Sequence, residues 1–126
     1  MPVHLIWGND IAAIDRSIKG LINSLIDPAW ASINLTRLDG ADIDQAIQAL
    51  EEARTPPFGT GERIVILNKS PFCNNCPAEI AKRFESNIEL IPQNSHLILK
   101  NINKPDGRLK STKLLQNLYK SKKAEE

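Results

Sequence analysis

The chain has 126 residues, of which 41% are hydrophobic and 25% charged, and a formal net charge of +1. It is long enough for one domain with a real core and too short for two, and its balanced charge does not advertise nucleic-acid binding. No apolar run reaches membrane-spanning length and Met1-Pro2-Val3-His4 lacks the basic start of a signal peptide, so a cytoplasmic protein with reduced cysteines and no membrane contact is expected.

Val3-His4-Leu5-Ile6-Trp7 reads as a buried strand ended by Gly8. Asn9 or Asp10 caps the helix that follows, in which Ile11, Ile14, Ile18, Leu21, Ile22 and Leu25 recur at helical spacing. Asp27-Pro28 stops it. Ser32 to Leu38 alternates apolar and polar residues, as an edge or half-covered strand does. Asp42 with Gln45 resembles a capping box for a helix carrying Ile43, Ala46, Ile47 and Leu50.

That helix ends near Arg54, because Thr55-Pro56-Pro57-Phe58-Gly59-Thr60-Gly61 cannot continue it. Two prolines fix φ and remove two backbone donors, and the glycines then allow a sharp reversal. Phe58 either folds back under this turn as core or stands out on a stiff tip, where it would fill a partner's pocket at low entropic cost. Arg63-Ile64-Val65-Ile66-Leu67 is rich in β-branched residues and is expected at the centre of a sheet.

Pro77 suits the first turn of a further helix, with Ile80, Phe84 and Ile88 on one face. Ser95 to Leu99 makes the fourth strand, and Lys104-Pro105-Asp106-Gly107 is a turn signature. Ser111 is placed to cap a last helix with Leu114, Leu115 and Leu118 inward, and the tail from Lys120 to Glu126 is expected to fray. Strands alternating with helices imply an α/β fold: a parallel sheet flanked by helices on both faces, within a single domain spanning residues 1–126.

In such a sheet the first strand-to-helix turn is the usual place for a phosphate. Here that turn carries Gly8, Asn9 and Asp10, with Asp15 following. The glycines, lysine and hydroxyl of a P-loop are missing, and acids stand where positive charge is wanted. Asn68-Lys69-Ser70 follows the central strand in place of the paired acids that magnesium-binding ATPases use. No GxGxxG, GxSxG or HExxH pattern is present, so neither a catalytic residue nor a cofactor is assigned.

Cys73 and Cys76 form the lone cysteine pair; tetrahedral zinc needs four ligands, and His4 and His96 stand isolated in apolar segments, so no metal is expected. Asp39, Asp42 and Asp44 read as caps and helix-dipole partners. The basic run from Lys100 to Lys123 reads as a solvated face, with Tyr119 the lone aromatic in it and DNA contacted at most indirectly.

Three segments, read together with this order of elements, resemble the N-terminal domain of the delta subunit of bacterial DNA polymerase III. They are Leu5 to Asp10, Asn34 to Gly40, and Ala53-Arg54-Thr55-Pro56-Pro57-Phe58-Gly59 leading into Arg63 to Leu67. Asn103 to Lys110 is also similar to this family. The resemblance implies a P-loop NTPase (AAA+)-like domain with a degenerate nucleotide site at Gly8, Asn9 and Asp10. It implies a clamp-loader subunit that binds and opens the sliding clamp during replication. Phe58 and Pro57 match the apolar pair that enters the clamp, with Pro57 departing from a leucine; Arg54, Thr55 and Pro56 match its rim. The implied partners are the sliding clamp (beta subunit) and other loader subunits, the latter through parts mostly outside this chain. By the same resemblance the chain is expected to be a truncated piece lacking the last strand of the sheet. A nucleotide-binding relative of the P-loop proteins is the alternative.

Overall fold

The middle of the fold is built by the two segments with the least polar surface. In the computed structural model, which describes residues 3–8, 10–72, 78–101 and the backbone of 124–125, Arg63–Asn68 (β3) and Ser95–Asn101 (β4) pair in parallel. Leu35–Asp39 (β2) adds to β3, and Val3–Trp7 (β1) adds to β4. Ala124–Glu125 (β5) pairs in parallel with Val3 and His4, giving the order β2-β3-β4-β1-β5.

This corrects the expectation that the last strand is missing. Without β5 the outer edge of β1 would present unpaired backbone groups. The fraying expected of the tail fails at Ala124 and Glu125; the rest of that tail, Cys73, Cys76, Pro77, the turn at Lys104 and the helix after Ser111 lie outside the described residues.

Helices cover both faces, as expected. Side chains of successive strand residues point to opposite faces. On one face Val3, Leu5, Val65, Leu67, Leu97 and Leu99 are buried with residues of Ile43–Ala53 (α3) and Ala78–Ile88 (α4). Phe84 on α4 stacks on Phe72 with ring centroids 4.7 Å apart. On the other face Ile64, Ile66 and Ile98 meet Ile14 and Ile18 of Ile11–Leu25 (α1). The helical face read from the sequence is therefore the buried one, apart from Ile11 and Ile43, which sit exposed in the first turns of their helices.

Two local expectations change. Asp42 caps α3 by accepting from the Asp44 amide at 3.0 Å, but Gln45 reaches past it to accept from the Asp39 amide at 2.9 Å. The capping box thus becomes a splint between β2 and α3. The alternating segment begins as helix: a 3-10 turn at Pro28–Trp30 runs into Ala31–Asn34 (α2), and β2 starts only at Leu35. β2 is an edge strand, as its half-polar pattern implied.

His4 and His96 are not isolated. His4 Nε2 lies 3.1 Å from His96 Nδ1, and His96 Nε2 lies 3.1 Å from Glu62 Oε1. With both rings neutral, the carboxylate accepts from His96 Nε2–H, which leaves His96 Nδ1 to accept from His4. Both rings are buried on the α1 face, where unpaired nitrogens would be costly.

Arg63 is the one buried cation among the described residues. Its Nε donates to the Glu52 carbonyl at 3.1 Å and its Nη1 to the Ile33 carbonyl at 3.1 Å, while Nη2 lies 3.6 Å from the Glu52 carboxylate. Those carbonyls belong to the last turns of α3 and α2, so one guanidinium ties the C-terminal ends of two helices to the start of β3. Arg63→Met keeps the aliphatic bulk and removes all three contacts. It is expected to lower unfolding stability by about 2–4 kcal/mol, read from the midpoint of urea denaturation.

Candidate functional site

Because all strands run the same way, each loop belongs to one of two ends of the sheet. The turn after α3 feeds β3 and lies at the N-terminal end. The turn after β1 lies at the C-terminal end, separated from the first by about 17–20 Å of strand.

At the N-terminal end the chain leaves α3 already docked. Arg54 Nη1 donates to Asn87 Oδ1 at 2.9 Å, and the Thr55 carbonyl accepts from Ser95 Oγ at 2.8 Å. The Thr55 amide returns to the Glu52 carbonyl at 3.0 Å. Pro56 is exposed and Pro57 half-buried, and neither has an amide hydrogen to satisfy.

Phe58 is held by its backbone and left free at its ring. Asn34 is fully buried at the end of α2. Its Nδ2 donates to the Phe58 carbonyl at 2.8 Å, and its Oδ1 accepts from the Phe58 amide at 2.9 Å. Phe58 as a residue nevertheless remains 49% exposed, which speaks against the core alternative.

The descent from the tip is equally constrained. Gly59 has φ +65°, and a Cβ there would come within 2.0 Å of the Trp30 indole. Gly61 has φ +84°, and a Cβ there would meet the Asp27 amide nitrogen at 2.7 Å. The Thr60 hydroxyl donates to Asp27 Oδ2, while Asp27 Oδ1 accepts from the Ala29 amide at 3.0 Å. The Thr60 bond, followed by the Ala29 bond, holds the Asp27 carboxyl below the ordinary carboxylate range. The Glu62 amide then donates to the Leu25 carbonyl at 2.9 Å, and β3 begins.

The C-terminal end is arranged differently. The Gly8 amide donates to the Asn101 carbonyl at 3.2 Å, so the turn is tied to β4. Asp10 caps α1, its Oδ1 accepting from the Ala13 amide at 3.1 Å. A carboxylate of the chain itself thus occupies the helix N-terminus, where a phosphate would otherwise be drawn. Lys100 Nζ, on β4, pairs with Asp15 Oδ1 at 2.9 Å. Asn9 lies outside the described residues.

Arg54, Thr55, Pro56, Pro57 and Phe58 therefore come together in one projecting turn, and Gly8 and Asp10 stand at the opposite end. Asn34, Trp30, Asp27, Ser95 and Arg63 also build the tip, and sequence reading assigned none of them to it. Asn34 was legible only as one of the polar residues of an alternating segment, a pattern that gives no sign of its burial. Asp27-Pro28 was legible only as the end of a helix. Among the described residues, no group of three or more His, Cys, Asp or Glu side chains is placed to hold a metal, and no helix is long and apolar enough to cross a membrane.

Comparison with known proteins bears on the whole arrangement. No curated protein sequence matches the chain significantly. Among solved structures, the fold is similar to that of the Bacillus subtilis DNA clamp loader delta protein (YqeN), with a TM-score of 0.77 at 24% identity. The match covers 92% of this chain and 36% of that one, so the chain spans well under half the length of its structural relative. The family model described as "DNA polymerase III, delta subunit" matches residues 4–125. With that match running from β1 to β5, the chain belongs to the DNA polymerase III delta-subunit family.

Proposed function

We propose that residues 1–126 act as the sliding-clamp-contacting domain of a clamp-loader delta subunit. Phe58 is the anchor that enters an apolar pocket on the clamp, Pro57 flanks it, and Pro56, Thr55 and Arg54 meet the rim. The observation that carries this reading is the half-exposed ring of Phe58 on a backbone bonded from both sides by a buried side chain. A large aromatic held in one place loses little freedom on docking, so most of its burial energy appears as affinity. The rigid tip then transmits force: once Phe58 is seated, α3 presses on the clamp and favours its open form.

In this reading the domain performs no chemistry of its own. Asp10 as the cap of α1 and Asp15 beside Lys100 make the C-terminal end of the sheet a poor place for triphosphate. Nucleotide and DNA are handled by partner subunits, whose state decides when the tip is presented.

Three outcomes follow for the chain and a bacterial sliding clamp titrated by calorimetry. Phe58→Ala should weaken binding about ten- to a hundredfold, as the loss of about 1.5–3 kcal/mol of buried aromatic surface predicts. Equal affinity would remove Phe58 from the contact. Gly59→Ala should also weaken binding although it deletes no apolar surface, because its Cβ must displace Trp30 and strain the turn. Titration with ATP should give no micromolar binding; if it does, the alternative of a nucleotide-binding P-loop relative replaces the degenerate-site reading.

A further inference from the structure

Asn34 is a neutral polar side chain with no exposed surface, placed on a four-residue helix that precedes an edge strand. A buried amide is expensive unless its donors and acceptor are used. Here one carboxamide takes both backbone groups of one residue: Phe58 N–H donates to Oδ1 at 2.9 Å, and Nδ2 donates to Phe58 C=O at 2.8 Å. This is the pairing that a neighbouring strand would make, supplied by a side chain. It falls on the one residue of the projecting turn whose ring is large, apolar and exposed. Core packing alone would be served as well by Leu or Met at position 34, and neither could hold the turn.

From this pairing we propose that Asn34 is the positioning residue of the clamp contact, fixing the backbone of Phe58 so that its ring is presented before the clamp arrives. The inference rests on Phe58 being the anchor. Asn34 itself touches no partner. It acts by raising the fraction of molecules whose tip is competent to dock, and apparent affinity scales with that fraction. Trp30 against Gly59 and the Thr60–Asp27 bond restrain the next residues of the same turn, so Asn34 is left to set one torsional neighbourhood, that of Phe58. Deleting a contact of the clamp and deleting the support beneath it then have different signatures.

A double-mutant cycle separates them. Asn34→Ala should weaken clamp binding about tenfold in the otherwise native chain, mainly through slower association, and should add nothing in the Phe58→Ala background. An equal loss in both backgrounds, or no loss in either, overturns the positioning role while leaving the anchor in place. If Phe58→Ala alone binds like the native chain, the anchor reading falls and the inference with it.

Asn34→Asp tests the same point without changing shape. Its carboxylate accepts from the Phe58 amide but has no donor for the Phe58 carbonyl, whereas the protonated acid has one of each. Clamp affinity of this variant should rise as the pH is lowered from about 8 to about 5, relative to the native chain at each pH. A folded variant that shows no recovery overturns the proposal. Should both variants fail to fold, amide exchange on the native chain decides. The Phe58 amide should exchange at least about tenfold more slowly than in an unstructured peptide, and unprotected exchange would show that the bond does not hold the tip.

Discussion

Arg63 opens the central strand with its guanidinium buried, and the carbonyls it collects end two different helices. Without that cation the Ile33 carbonyl would lose its side-chain donor, and the end of α3, whose Glu52 carbonyl also accepts from the Thr55 amide, would lose its tie to β3. Because the cation satisfies both, α2 can stop where Asn34 faces inward and α3 can stop where Arg54 and Thr55 dock on the α4–β4 side. Supports of the turn come from α2 and the 3-10 turn before it, and also from Asn87 on α4, Ser95 on β4 and the Leu25 carbonyl at the end of α1.

This arrangement gives the two ends of the sheet different characters. The C-terminal ends of the strands, where α/β proteins commonly bind phosphates, have their helix N-terminus capped by Asp10 and a lysine paired with Asp15. The N-terminal ends, more often a structural face in such folds, carry the exposed aromatic on a turn held by Asn34, Ser95 and Asp27. Rigidity there is physically useful, since an apolar ring on a loose loop would spend its burial energy on ordering the loop. The same turn needs glycine twice, at positive φ and against Trp30 and Asp27, so little of it is open to change.

Family membership could be argued from short segments because those segments are the ones with the least freedom. Apolar strands and helical stripes have a period that burial enforces, and β1, β3, β4, α1, α3 and α4 all appeared where their periods placed them. The departures lie where a tertiary bond outweighed a local pattern. Alternation through Ser32, Ile33 and Asn34 read as strand, yet the carbonyl of Ile33 accepts from Arg63 and the side-chain carboxamide of Asn34 pairs with the Phe58 backbone. His4 and His96 looked solitary because 92 residues separate them in sequence, while the register of β1 on β4 brings their rings within hydrogen-bond distance. The edge pairing of β5 likewise depends on what β1 leaves open, which the tail's charged composition does not reveal.

Composition and periodicity alone determined that this is an α/β chain with a parallel sheet covered on both faces, because helical and strand periods and apolar runs are local properties. They also determined that a stiff turn must follow Arg54, because two prolines and two glycines leave the backbone no other course. Whether the aromatic on that turn faced the core or the solvent was decided only in three dimensions. It depends on Asn34, 24 residues earlier, reaching the Phe58 backbone from beneath, and a carboxamide's partner across such a separation leaves no mark on local pattern.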